Sequence, residues 1–285
     1  IYENTQRISG WEFDWDENIR VAYRADEDGH SEILKVNDFN SFEEIYKTNL
    51  KEAAQIVGWT ADNQSAYLET NKGDIDLSTL YLMDMDSLAL TFVESDPKSK
   101  VDFGGVFFDR NKRQLVCTSY TEDKVRRYWK DDSWAVIFAK LEERFPDREV
   151  SIGSSTLDYA HFLVYTSGDR YASDVWYYHV AEDDLSFIYT SRPELKAVED
   201  RLSPMKSITY LSSDGLTIPA YLTIPISAST NKNLPCIIMV HGGPKGPRDS
   251  WGFNGAVQFL ADRGYAVLQP NFRASGGYGK AFLNA

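Results

Sequence analysis

Cysteine is nearly missing from this sequence. Cys117 and Cys236 are its two examples, each inside an apolar, strand-like run. Both are expected to act as small core hydrophobes, which excludes a disulfide framework and a thiolate metal site. Histidine is almost as scarce, with four residues. His30 lies beside a turn and His161 and His179 lie in strand patterns; no pair has the spacing of metal ligands, so structural roles are expected for all three. Long apolar runs are absent too. Cys236-Ile237-Ile238-Met239-Val240 is five residues, far short of the ~18–20 needed for a membrane-spanning helix, and its length and branching predict a buried strand. Basic charge is in deficit: 30 Lys and Arg stand against 43 Asp and Glu, a net charge of −13. That excludes the clustered positive charge a nucleic-acid partner requires. Lys124-Val125-Arg126-Arg127 is a short run flanked by acids and is expected on a solvated face. Asp26-Glu27-Asp28-Gly29 lacks the alternating ligands and closing Glu of a calcium loop and reads as a solvated turn. No metal or other cofactor is expected. The opening Ile1-Tyr2-Glu3-Asn4 has neither an initiator Met nor a signal-peptide pattern. It reads as an internal point of a longer polypeptide, with the compartment open between cytoplasm and periplasm.

What is plentiful is aromatic residues, 17 Tyr and 15 Phe among them, which suit pleated, half-buried surfaces. They recur in a pattern: an aromatic or Gly entry, an Asp-containing turn, a strand, a polar turn and a second strand. The unit begins at Trp11-Glu12-Phe13-Asp14-Trp15-Asp16. It returns at Trp59-Thr60-Ala61-Asp62, at Phe107-Phe108-Asp109 and at Thr156-Leu157-Asp158. Asp16, Asp62, Asp109 and Asp158 are 46, 47 and 49 residues apart, a period that fits four-stranded propeller blades. Second strands follow at 31–36, 79–83 and 174–178, and Asp28-Gly29 is a hairpin signal because Gly tolerates positive φ. The third unit carries an insertion over 134–145 whose Ile137, Phe138, Leu141 and Phe145 share one helical face, ended by Pro146.

The pattern changes near Arg201-Leu202-Ser203-Pro204. A hairpin around Ser213-Asp214-Gly215 leads to Pro225 and a polar loop, then to the apolar run ending at Val240. His241-Gly242-Gly243-Pro244 comes next. A helix follows around 256–263 with Gly264 as its stop, then a buried strand at 265–268, then Asn271-Phe272-Arg273-Ala274-Ser275-Gly276-Gly277-Tyr278-Gly279. Strand, helix and strand with a Gly-rich loop after each strand is α/β organisation. The fold class expected from this pattern is therefore mainly β: about four propeller blades over 1–203, followed by an α/β segment over 204–285.

The Gly pair after the apolar strand lets backbone approach a ligand without Cβ interference, so that an amide N–H can face a developing oxyanion. With Asp214-Gly215-Leu216, Tyr221-Leu222-Thr223-Ile224-Pro225, Arg263-Gly264-Tyr265-Ala266-Val267 and Asn271-Phe272-Arg273 in this order around it, residues 205–285 resemble the opening of the catalytic domain of the prolyl oligopeptidase family of serine peptidases, nearest the acylaminoacyl-peptidase-like branch. The earlier repeats resemble late blades of that family's propeller, and the resemblance makes 204–285 the incomplete N-terminal part of an α/β-hydrolase domain. The resemblance implies a propeller that restricts the cleft to peptides and an oxyanion hole using Gly242 and Gly243, with the Gly243 amide as donor. It makes His241 a loop residue rather than the catalytic base. His241, Arg273 and Tyr278 are candidates to support the cleft, Arg273 mainly by bracing the Gly-rich turn.

No catalytic residue is assigned within the chain, because no serine stands in the G-x-S-x-G frame of a hydrolase nucleophile. Ser275 lacks the leading Gly and Ser155 the trailing one. In the family order, nucleophile, Asp and His follow the point corresponding to Ala285, so these 285 residues are expected to be inert while the parent cleaves short or N-acylated peptides. The competing expectations are a non-catalytic propeller that binds a partner and an esterase of the same hydrolase fold. Peptide substrate is the expected partner, without nucleic acid or membrane. Self-association is expected from the unpaired strand edges of an incomplete sheet.

Overall fold

The structure is a computed structural model and describes residues 3–38, 41–230 and 232–285. Three of the four repeated Asp residues, Asp62, Asp109 and Asp158, close their turns as the pattern predicts. β1 (Ile8–Phe13), β2 (Ile19–Ala25), β3 (Ser31–Asp38) and β4 (Ser41–Thr48) form one antiparallel sheet in sequence order. β5 (Ala54–Trp59), β6 (Ser65–Thr70), β7 (Thr79–Asp84) and β8 (Leu90–Glu94) form the second. β9 (Gly105–Asp109), β10 (Gln114–Thr121) and β11 (Val125–Trp129) form a three-stranded third. β12 (Glu149–Ser155), β13 (His161–Ser167), β14 (Asp174–His179) and β15 (Asp184–Thr190) form the fourth. The four sequence repeats are four consecutive blades.

Local chemistry makes each first turn. Asp62 Oδ1 accepts from Thr60 Oγ1 (2.6 Å) and from the Gln64 N–H (3.1 Å). Asp158 Oδ1 accepts likewise from Thr156 Oγ1 (2.6 Å) and the Ala160 N–H (3.1 Å). The following residues, Asn63 and Tyr159, then take left-handed φ of 58° and 56°. In the first blade that task falls to Asp14, which accepts the N–H groups of Asp16 and Asn18. Asp16 instead accepts from Asn63 Nδ2 and Arg113 Nη2, side chains of the next two blades. First strands also share a bulge at Gly. At Gly58 and Gly153 a Cβ would lie 2.3 Å from the Phe108 ring and 2.1 Å from the Tyr165 ring, so each aromatic rests on bare backbone.

The chain divides into two compact units. One comprises Ile1–Glu122, Arg126–Lys130 and Gly276–Ala285; the other comprises Asp123–Val125 and Asp131–Ser275. In the first, neighbouring blades pack face to face: Val21, Ile33 and Ile45 meet Ile56, Leu68 and Met83 in one buried cluster. Leu80, Val101, Phe103, Leu115 and Tyr120 form another. Arg126 corrects the expectation of a solvated basic face. Its guanidinium is largely buried and grips both carboxylate oxygens of the buried Asp96, at 2.8 and 2.9 Å.

In the second unit, α1 (Asp132–Arg144) starts at Asp131, whose side chain accepts the N–H groups of Ser133 and Trp134. Phe138 and Leu141 are buried as the expected face required. Trp134 extends that face one turn earlier and packs edge-on against Tyr159 and tilted against Phe162 of the fourth blade. After the one-turn α2 (Pro193–Lys196) come β16 (Met205–Leu211), β17 (Thr217–Thr223), β18 (Cys236–Ile238), α3 (Gly255–Asp262) and β19 (Ala266–Pro270). Their sheet runs β16-β17-β19-β18, antiparallel except for the parallel β18–β19 pair that α3 connects. Gly264, at φ 88°, ends α3 as expected. Its N–H reaches Ala261 O and that of Tyr265 reaches Leu260 O, the Schellman pattern. This is the opening of an α/β-hydrolase sheet. In the first unit the chain's last turn, α4 (Lys280–Leu283), sits over Asp76, which accepts the Ala281 N–H.

One expectation is overturned here. Cys236 is exposed, not a core residue, and Ile238 and Val240 are 64% and 62% exposed. The run has a core strand's composition, but β18 is an edge of the described sheet, and α3 packs on β19.

Gln258 on α3 holds the entry to this sheet. It donates to Ser203 O (2.8 Å) and Asp169 O (3.2 Å) and accepts the Ser203 N–H (2.9 Å), all of them buried. Gln258→Ala is expected to lower stability by about 1–3 kcal/mol, the cost of leaving buried backbone groups without partners. Chemical denaturation at neutral pH measures it, and a change below ~0.5 kcal/mol would contradict this role.

Candidate functional site

The site begins where β18 ends. The Met239 N–H donates to Leu268 O (2.8 Å), which keeps the chain alongside β19 up to the loop. From His241 onward the backbone leaves the sheet, and a second loop, after β19, holds it. The Gly246 N–H donates to Ala274 O (2.9 Å), and Gly246 forms a bridge with Ser275. Asn271, fully buried, accepts the Asp249 N–H (2.7 Å) and donates to Asp249 O (3.0 Å). Burial also raises the Asp249 carboxyl above its ordinary range.

His241 joins the two loops directly. Its ring stacks on Phe272 at 4.3 Å between centroids and 15° between planes. Nε2 lies 2.9 Å from Ser275 Oγ and Nδ1 lies 2.7 Å from Gly242 O. Gly242 and Gly243 are exposed. A Cβ built on Gly242 meets no atom within 4 Å, and one on Gly243 meets only the Lys245 N at 3.7 Å and the Phe272 ring at 4.0 Å. Neither glycine has a positive φ. The described residues therefore impose no local demand for Gly here, and what the pair provides is an unobstructed backbone.

The structure thus gathers His241, Gly242 and Gly243 against the loop that contains Arg273. The Arg273 side chain points to Asp214 in the β16–β17 turn, at 2.6 Å. Asp214 also accepts from Ser212, and these partners, with Ser212 foremost, hold its carboxyl well below the usual range. Tyr278 belongs to the first unit, where it packs edge-on against Phe282 at 5.3 Å. Sequence reasoning passed over Ser275, Phe272 and Asn271 as partners of the His241 loop. Their signal was the Asn-Phe-Arg-x-Ser motif itself, read there only as a likeness.

The first unit carries two further features. Asp26, Asp28 and His30 bring ligand atoms within 4.8 Å of one another. Asp26, however, is already engaged by Lys47 at 2.8 Å and by the Asp28 and His30 N–H groups. In the first unit a cavity of about 840 Å³ is lined by the first strands of three blades and the turns after them, among them Glu12, Trp15, Trp59, Phe108 and Arg113. Burial raises the Glu12 carboxyl. No helix is long and apolar enough to cross a membrane among the described residues.

Comparison with known proteins follows the same lines. Residues 251–285 match the model of the prolyl oligopeptidase family. Over its whole length the chain is 31% identical to dipeptidyl aminopeptidase BIII of Pseudoxanthomonas mexicana, of which it spans 42%. Over 98% of its length it is 26% identical to dipeptidyl peptidase family member 6 of Caenorhabditis elegans, of which it spans 41%. Its fold superposes on a puromycin-hydrolyzing peptidase of Mycobacterium tuberculosis with a TM-score of 0.65. That match covers 92% of this chain and 41% of the other at 18% identity. The chain spans less than half the length of each.

Proposed function

Since the chain belongs to the prolyl oligopeptidase family, we propose that the full-length protein is a serine peptidase acting on short peptides, with the Gly243 N–H as one oxyanion donor. The observation that carries this is the open Gly242–Gly243 backbone, immobilised from behind by His241, Phe272 and Ser275. An N–H held in exposed, unobstructed backbone can stabilise an oxyanion without reorganising during the reaction. The Ser-His-Asp triad would come from the part of its relatives' length that this chain does not span. Ser275, although hydrogen bonded to a histidine, has no exposed surface and cannot meet a substrate carbonyl. The two relatives aligned along the whole chain are both named for dipeptide release. Their names favour a peptide with a free N-terminus over the N-acylated one suggested by the acylaminoacyl-peptidase-like motifs.

The expected result is fluorophosphonate-sensitive cleavage of dipeptidyl amides by the full-length protein, with acylation of the substrate's N-terminus lowering kcat/KM at least tenfold. The same probe should leave the 285-residue chain unlabelled. Turnover of short-chain esters without peptide cleavage would replace this function with the esterase one. Absence of any fluorophosphonate-sensitive turnover would leave the propeller as a binding module.

A further inference from the structure

At one end of the fourth blade three side chains able to bind metal stand in a row. His161 opens β13, and its partner across the ladder is His179, the last residue of β14. His179 pairs in turn with Asp184, the first residue of β15. Residues directly opposite in antiparallel strands share a face, so the three project from one side of the blade. The two imidazoles stack at 4.5 Å between centroids and 27° between planes, and the Tyr177 ring stacks on His161 as well. Both histidines are half-buried and Asp184 is exposed, so solvent reaches the row. The hairpin joining β13 and β14 thus brings together two histidines whose sequence spacing carries no such signal.

The hydrogen bonds leave the same nitrogen available on each ring. His179 Nδ1 lies 3.1 Å from Glu182 Oε2, and a carboxylate only accepts, so in the neutral ring the proton sits on Nδ1 and the lone pair on Nε2. His161 Nδ1 lies 2.7 Å from the Tyr177 hydroxyl, whose oxygen accepts as readily as it donates, so the same tautomer fits there. Neither Nε2 has a hydrogen-bond partner among the described residues. A free Nε2 on a ring whose Nδ1–H is held by a carboxylate or hydroxyl is the arrangement of a metal-binding histidine. An ion with nitrogen ligands at ~2.0–2.1 Å keeps two of them within about 4 Å of each other. Rings already stacked reach that by side-chain rotation, with no change of backbone. The surroundings favour a cation: Asp158, whose carboxyl His161 helps to hold below its ordinary range, Glu182 and Asp184 are all acidic. We propose that His161 and His179 form a two-imidazole site for a divalent late transition ion, Zn²⁺ or Cu²⁺, with Asp184 as the adjoining carboxylate ligand and water completing the shell. Imidazole with carboxylate suits these ions, whereas Ca²⁺ and Mg²⁺ take oxygen ligands. A bound ion ties β13, β14 and β15 together at one end of the blade.

The test uses the full-length protein, stripped of metal with a chelator and titrated at neutral pH. Calorimetry with Zn²⁺ is expected to show a site that His161→Gln and His179→Gln each weaken by at least about tenfold. With Cu²⁺, the electron paramagnetic resonance signal should carry the splitting of two nitrogens in the unaltered protein and of one in either variant. Glu182→Ala removes an exposed side chain and should weaken Zn²⁺ by about tenfold through the His179 ring. Acylation by diethyl pyrocarbonate, mapped residue by residue, needs no variant and so decides the matter even where the Gln variants fail to fold. Zn²⁺ should shield both His161 and His179, and Ca²⁺ at the same concentration should not. Equal acylation with and without Zn²⁺ overturns the proposal. Shielding by Ca²⁺ as strong as that by Zn²⁺ also overturns it, reducing the row to an acidic rim without imidazole ligation. A Zn²⁺ affinity unchanged in both Gln variants overturns it equally.

Discussion

Replacing Gly242 by alanine is expected to lower kcat/KM of the full-length protein by about 100-fold, comparable to losing one oxyanion donor, while its thermal midpoint stays the same or rises slightly. The two halves of this outcome come from different facts. In a trans peptide the N–H of Gly243 lies on the same side as the Gly242 Cα, so a methyl on that Cα crowds the approach to the donor. The space it would occupy holds no atom of the described residues within 4 Å, and the backbone there is not left-handed. The fold is therefore indifferent to the methyl. Gly to Ala at such a position commonly stabilises by ~0.4–1 kcal/mol through the unfolded chain. Steady-state kinetics with a dipeptidyl amide, paired with a thermal melt, read both. An unchanged kcat/KM would mean that the Gly pair is only a turn.

The largest stability effect is expected from Asp96→Ala, a loss of about 3–5 kcal/mol. Asp96 is buried and accepts two hydrogen bonds from Arg126 and three from the backbone N–H groups of Lys98, Lys100 and Val101. Alanine would strand a guanidinium whose side chain is 16% exposed, together with three amides. Denaturant unfolding measures the loss; a change below ~1 kcal/mol would show that water enters and replaces the carboxylate. The same site sets an acid limit. Burial alone would raise the Asp96 carboxyl, but the Arg126 ion pair and the three N–H donors overcome it and hold the group well below the usual carboxylate range. A depressed folded-state pKa gives stability that is complete above the unfolded value of ~3.9 and is lost as pH falls below it. The thermal midpoint should fall steeply below about pH 4, and Asp96→Asn should flatten that slope.

Much of the fold was written locally. A Thr-x-Asp turn closes on its own hydroxyl and amide, and residues alternating along a strand declare which face is buried, so the blades at Asp62 and Asp158 need no distant partner to be recognised. The order of motifs after residue 205 likewise located the candidate loop. Three things escaped. Arg126 stands in a run that looks solvated, and only the return of the chain brings Asp96 to it from 30 residues away. Asp16 has the spacing of a turn residue yet binds the following two blades, because Asp14 had already closed the turn. The run 236–240 has the apolar, branched composition of a core strand. Whether such a strand is covered depends on its place in the sheet, and β18 occupies the edge.

By itself, then, the sequence determined the blade repeat, the hydrolase opening and the Gly-Gly loop, because each depends on neighbours within a few residues. The tertiary structure alone decided how that loop is held. His241 and Ser275 lie 34 residues apart and meet across the ends of two parallel strands. Which atoms that meeting places around one imidazole depends on the path of the chain between them, and neither segment carries it alone.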